Sequence, residues 1–390
     1  MPSYISSNSQ RLYVALEPEF GQTAALTGAH RIPAVKFGAR QRSEALARRD
    51  KTGTRTFRGV PASGRKKTNF SLKTYMAGWG AQAAPPAYGA LFQGALGAAP
   101  QLYAGAVTGL GSTAKNIVFA GPHGLSVGQA ITFGGEIRFV AALADPLTVV
   151  LNQGFSTIPA AGSPVGATAS YRPGNLLPSM NVFEYRSPET ALKRFVSGGV
   201  VDQMTVTING DFHEFQFEGV AQDLVDSASF SAGIAGLTNF PEEPAHADFD
   251  YAVVPGNLGQ AWLGNAMSKF CTITNAQLTV QNNVEVRDTE FGCDCALAAV
   301  PGERLVSLTF SLFEQDDAAT QALYQAARQR TPVSVMFQLG QQAGQLFGVW
   351  VTGMVPDIPD FDDSDTRVIW RFDGARAQGT VDDEIYIAFG

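Results

Sequence analysis

Four histidines, three cysteines and one dense run of aspartates are the raw material from which this 390-residue chain could build a catalytic or metal centre. Catalysis needs titratable groups that converge. His30, His123, His213 and His246 stand far apart, with neither metal-ligand spacing nor a nucleophile elbow beside them, and read as turn or surface residues. Cys271 is isolated, and Cys293-Asp-Cys295 has one residue between its thiols where metal knuckles use two, so reduced thiols are expected. Gly53-Thr-Arg-Thr-Phe-Arg-Gly59 lacks the Lys-Ser/Thr ending of a phosphate-cradling loop. The aspartates are Asp357, Asp360, Asp362, Asp363 and Asp365. The Asp density makes a calcium loop conceivable, but Pro359 and the missing Gly and terminal Glu depart from the standard one, and a solvated turn or a docking surface for an oppositely charged segment is the stronger reading. No catalytic residue, metal site or cofactor is expected, and the chain reads as a non-enzyme.

The strongest chemical signal is charge. Residues 31–73 hold 13 Lys and Arg against Glu44 and Asp50, a net of +11, while the remaining 15 basic and 33 acidic residues leave the rest at −18. A basic arm on an acidic body calls for a polyanion or an acidic protein surface. Its candidate contact residues are Arg48, Arg49, Lys51, Arg55, Arg58, Arg65, Lys66 and Lys67.

Two strands must present that arm. Arg31–Phe37 and Thr68–Met76 carry apolar residues at every second position, the period of a half-buried strand, and the intervening residues 38–67 form a long polar loop. Further strands are predicted over 11–16, 180–185, 200–208, 214–220, 272–280, 304–313, 333–339, 346–355 and 367–372, with helices over 86–96 and from Asp316 or Asp317 to Arg330. Between Pro100 and Asn175 short apolar runs separated by Gly and Pro mark a small β module, with Gly134-Gly135 as a hairpin turn. The domains read as 1–99 with 176–230, an outward-facing insertion over 100–175, a linker over 231–264, and a second domain over 265–390. Both main domains read strand, long loop, strand, helix, three strands, the order of an internal repeat.

With charged residues at only 16% and Gly plus Pro at 62 of 390, the composition is that of a β-rich, turn-rich protein. No stretch approaches the roughly 20 apolar residues of a membrane span, and the N-terminus lacks the build of a signal peptide, so cytoplasmic synthesis without a membrane anchor is expected.

In their order along the chain, Glu17-Pro-Glu-Phe-Gly21, Arg31-Ile-Pro-Ala-Val35, Arg48-Arg-Asp-Lys-Thr-Gly-Thr-Arg55 and Phe70-Ser-Leu-Lys-Thr-Tyr75 resemble the major tail tube protein of long, non-contractile-tailed bacteriophages. Ile273-Thr-Asn-Ala-Gln-Leu-Thr-Val-Gln-Asn282 and Arg330-Thr-Pro-Val-Ser-Val335 are similar to that family too. The resemblance implies two β-sandwich or half-barrel domains, each with a flanking helix. It also implies rings whose inner wall is a continuous barrel, stacked into a virion tail tube that is assembled in the bacterial host cytoplasm. The implied partners are further copies of the chain, the tape measure protein, and the tail terminator and distal tail proteins. DNA would pass through the lumen without specific binding, and the 38–67 loop would reach the adjacent ring. The doubled outline and the 100–175 insertion depart from single-domain members and favour three chains per ring over six. The alternatives are a nucleic-acid-binding module using the basic arm, and a carbohydrate-binding protein or depolymerase.

Overall fold

Alternation builds most of this fold: in Glu214–Ala221, Phe215 and Phe217 are buried while Gln216 and Glu218 face outward, as one-sided strands require. The computed structural model describes residues 4–43, 51, 53–56, 64–80, 82–208, 210–245, 252–264, 267–291, 294–364 and 366–390. The first half contributes β1 (Arg11–Leu16), β2 (Arg31–Ile32), β3 (Ala34–Ser43), β4 (Lys66–Tyr75) and α1 (Gly89–Leu96). An inserted module follows, with β5 (Gln101–Tyr103), β6 (Ala106–Val107), β7 (Asn116–Val118), β8 (Ala130–Phe133), β9 (Glu136–Asp145), β10 (Thr148–Leu151), β11 (Pro164–Val165) and β12 (Thr168–Tyr171). The first half resumes as β13 (Met180–Tyr185), β14 (Arg194–Ile208), β15 (Glu214–Ala221) and β16 (Asp223–Asp226). The second half begins with β17 (Gly259–Leu263), β18 (Ser268–Phe270), β19 (Ile273–Gln281), β20 (Glu285–Arg287), β21 (Ala298–Val300) and β22 (Leu305–Phe313). It ends with α2 (Ala318–Gln329), β23 (Val333–Leu339), β24 (Phe347–Val355), β25 (Asp360–Asp362), β26 (Ile369–Gln378) and β27 (Ile385–Phe389). The protein is therefore mainly β, and its main sheet curls into a half-barrel.

The two halves share one pairing order. In front, β3 pairs with β4, β4 with β15, and β15 with the far part of β14; in the second half β19, β22, β26 and the end of β24 repeat this sequence. Behind, the order β2, β1, β13, near part of β14, β16 recurs as β18, β17, β23, near part of β24, β27. Each half thus has one long strand that passes from the back layer to the front. In β14 the crossing falls at Gly198-Gly199. Gly198 has φ +62°, and a Cβ there would lie 2.6 Å from the Gln222 side chain, so only glycine fits the bend. The halves join where Gln203–Ile208 of β14 pairs antiparallel with Ala276–Gln281 of β19, making one front sheet.

The core lies between these layers and crosses the boundary between halves. Phe92 of α1 is fully buried, with ring centroids 5.1 Å and 5.3 Å from Phe215 and Phe217 of the first half and 5.0 Å from Phe389 of the second. The predicted helix over 86–96 begins only at Gly89, after a turn in which the Gly89 amide donates to the Pro86 carbonyl. Gly94, unfavourable by propensity, is explained by packing: a Cβ there would meet Met180 Cε at 2.1 Å. The second helix matches its expectation, with the Asp317 carboxylate accepting from the Thr320 amide at 2.8 Å as N-cap, and Leu323, Ala326 and Ala327 buried.

The inserted module has a four-stranded sheet, β7-β10-β9-β8, around Ile117, Phe119, Ile131, Val140, Val149 and Leu151. It leaves the sequence of the first half but rests on the second: β12 pairs with β27, and Ile137 and Phe139 pack with Trp262, Met336 and Trp350. Arg138 fixes this contact. Its guanidinium donates to Gln338 Oε1 at 2.7 Å and Glu136 Oε1 at 2.9 Å and lies 4.4 Å from the Trp262 ring. Burial pulls its pKa down to about 10, so it stays charged at neutral pH.

Candidate assembly surface

Three features of the front sheet face away from the core: a broad polar face, two unequal edges, and two arms at one end. Along the face, the strands that join the halves present Gln203, Thr205 and Thr207 on β14, Gln277, Thr279 and Gln281 on β19, and Ser307 and Thr309 on β22. They stand in cross-strand rows, such as Thr205 beside Thr279 beside Ser307, and none carries a formal charge. Farther out, Lys73 of β4 is neutralised by Glu214 of β15 at 2.6 Å. Along the join the surface is hydrated and offers a polyanion little to hold, while β26 beyond it carries exposed Arg371 and Arg376.

The edges differ in charge. β3 forms one, with Lys36, Arg40 and Arg42 exposed. β25 forms part of the other, and there Asp357, Asp360 and Asp363 are exposed. Asp362 is occupied: Arg371 Nη2 donates to its Oδ2, and the Ser364 hydroxyl to its Oδ1, each at 2.5 Å. The Ser364 hydrogen bond leads in holding its pKa below the usual carboxylate range, with Arg371 adding to it. Asp365 lies outside the described residues.

The arms are the β3–β4 and β19–β22 connections, which occupy matching places in the two halves. Strand β3 runs on to Ser43 and β4 starts at Lys66, so the expected 38–67 loop is shorter, and Lys66 and Lys67 belong to a strand. Lys66 Nζ lies 3.6 Å from both Asp223 and Asp294, and Lys67 Nζ lies 3.7 Å from Asp288. Arg65 Nη2 donates to the Thr289 carbonyl at 2.8 Å, and the Lys66 amide to the Asp294 carbonyl at 2.7 Å. The base of the basic arm is therefore held within the chain by the second arm. That arm carries the β20–β21 hairpin and has Glu285, Asp288, Glu290, Asp294 and Glu303 against Arg287 and Arg304. Sequence reasoning missed this partner, although five carboxylates in 22 residues were a visible signal. Lys51 and Arg55 are exposed; Arg48, Arg49 and Arg58 lie outside the described residues.

Two of the histidines, His213 and His123, serve the fold. His213 is buried beside the Leu258 carbonyl, with its pKa lowered by burial, and His123 Nδ1 accepts from the Leu125 amide at 2.9 Å in a turn. His246 lies outside the described residues, as does Cys293, while Cys271 is an exposed free thiol. A cleft of about 1020 Å³ lies between β1 and the start of α1. Its carboxylate, Glu17, is spent on the Gly21 and Gly198 amides at 2.8 Å and 2.7 Å and on Asn181. Among the described residues no helix is long and apolar enough to cross a membrane, and no group of three or more His, Cys, Asp or Glu is placed to hold a metal.

No family model matches this chain, and no curated protein matches it well enough to count as a relative.

Proposed function

We propose that this protein is a structural building block that assembles into rings and stacks them into a tube, the tail tube of a long-tailed bacteriophage. The observation that carries the reading is the front sheet. Two halves of equal pairing order are already fused edge to edge into a curled wall whose polar face is uncharged along the join between halves, with a strand edge at either end. Further copies added in the same way extend the wall until the curl closes it. Because each chain supplies two equivalent steps, three chains give a ring that imitates six-fold symmetry, in preference to six chains. The polar face then lines the lumen, where the tape measure protein is enclosed and DNA later passes. Phosphate neutralisation would give that DNA affinity and slow it, and the facing residues of β14, β19 and β22 that line the join offer it no cation.

In this reading the basic arm serves the stacking of rings. A protein role suits it better than nucleic-acid binding, since Lys66 and Lys67 already face carboxylates of the same chain. The tail terminator and distal tail proteins would cap the two ends, and the assembled protein would belong to the virion.

End-on electron microscopy of the purified, concentrated protein tests the reading. Rings with three strong and three weaker lobes are expected. A chain that stays monomeric at every concentration, or one that binds DNA with steep salt dependence as a monomer, would overturn it.

A further inference from the structure

The duplicated topology also specifies which edges meet. Within the chain, the join is made by the outgoing end of β14 and the outer edge of β19. By pairing order the counterpart of β19 is β3, and the counterpart of the end of β14 is the end of β24. That second strand does not stop at Val355. Gly353–Val355 pairs with Arg376–Gln378, and Asp360–Asp362 pairs with Ile369–Arg371 in the same register, so β25 continues β24 along β26. Among the described residues, β3 is paired to β4 alone and β25 to β26 alone.

We infer that chain joins chain head to tail, with β3 of one copy pairing antiparallel to the β24–β25 edge of the next, its Lys36, Arg40 and Arg42 meeting Asp357, Asp360 and Asp363. The inference rests on the ring reading above and names its joint. Parity supports it. Lys36 stands opposite Lys73 on the polar side of the sheet, and Arg40 and Arg42 share that side. Asp360 stands opposite Arg371, which in turn faces Ser311. Lys36, Arg40 and Arg42 and, of the aspartates, Asp360 therefore project on the same face of a joined sheet, where cross-strand neighbours interact, and Asp357 and Asp363 flank Asp360 along the edge. Each edge also exposes apolar surface for the joint to cover: Val35 is 47% exposed, and Ile358 and Phe361 are 51% and 54% exposed.

The charges give the joint its direction. The internal join is neutral, Gln203 beside Gln281 and Thr205 beside Thr279, because covalent connection already decides which strands meet. A join between chains has no such guide, and a bare strand edge can pair with any other. A basic edge repels a second basic edge and an acidic one a second acidic edge, so only head-to-tail contact survives. Pro356 and Pro359 have no amide hydrogen to offer, which shortens the backbone ladder on the acidic side and leaves more of the recognition to side chains.

Reversal of one edge at a time is the test. Lys36→Glu, Arg40→Glu and Arg42→Glu together reverse one edge; Asp357→Lys, Asp360→Lys and Asp363→Lys together reverse the other. Each variant is first shown by its circular dichroism melt to fold as the wild-type monomer does, and assembly is then followed by light scattering and electron microscopy. Each triple reversal should raise the concentration for half-assembly by about tenfold or more, and the six-fold variant, acidic where it was basic and the converse, should recover wild-type assembly. Assembly of either triple variant at the wild-type concentration, or failure of the six-fold variant to recover, would overturn the joint while leaving the ring reading intact. A wild-type chain that never assembles would remove the ring reading and the joint with it.

Discussion

The first half of the chain and the second follow one pairing order but spend their loops differently. Between the helix and the following strand, the first half inserts a whole module, while the second makes a direct turn from Gln329 to Val333. Between the first two front strands, the first half has a basic arm and the second an acidic one, and the arms touch. The sheet cannot differ between halves without breaking the wall, because each strand must meet its neighbour's backbone donors and acceptors in register. Connections carry no such obligation and are where the two copies part. The helices differ too. α1 is short, contains two glycines and is wedged between aromatic rings of both halves, whereas α2 is longer, capped and amphipathic.

These differences can be broken one at a time. The largest effect is expected at Arg138, which ties the module of one half to the strands of the other. Arg138→Ala leaves Glu136 without its cation in a buried site and should cost about 3–5 kcal/mol in chemical denaturation, with the module loosened before the sheet. Phe92→Ala, in the wedge shared by both halves, should cost about 3–5 kcal/mol, whereas Leu323→Ala in α2, the matching helix of the second half, should cost about 2–3 kcal/mol. A larger loss at Leu323 would mean that the halves do not share their core through α1. The cap of α2 comes next: Asp317→Ala should cost about 1 kcal/mol. Its pKa is held low chiefly by the Thr320 amide, so its contribution is present above the ordinary aspartate range and fades as pH falls through the lowered value. An acid titration of wild type against variant should therefore converge below about pH 4.

The arms come last in stability and first in assembly. Lys66, 31% exposed, pairs across solvent, so replacing the basic residues of 48–67 by Ser should change monomer stability by less than about 1 kcal/mol. The same change should leave rings intact and stop them stacking. Normal tube length in that variant would refute the arm's assigned role, and a large loss of monomer stability would make the arm-to-arm contact a folding element.

Much of the fold was legible where periodicity is strong. Strands 180–185 and 333–339 and the helix beginning after Asp317 fall where alternation, capping and Pro332 place them. The missing elements share a physical reason. β16, β18 and β27 are short or fully buried, and β17 lies in a Gly- and Pro-rich stretch that reads as a connection, so none shows an alternating pattern. Strand β14 begins six residues before its predicted start because Arg194–Gly199 lies in the back layer, where Phe195–Gly199 is buried on both faces. For the candidate surface, the charge of the arm was visible, but the acidic neighbour that it meets within the chain, Asp288 and Asp294, was not identified.

The sequence by itself determined that this is a β protein, where most of its strands run, and that a basic arm stands on an acidic body. These are local properties, written in alternation, turn residues and charge. Only the tertiary structure decided that the module inserted in one half rests on the other, that Lys66 meets Asp294, and that one edge of the sheet is basic and the other acidic. Those facts depend on pairings between residues as many as 228 positions apart, and nothing in the local pattern of either strand names its partner.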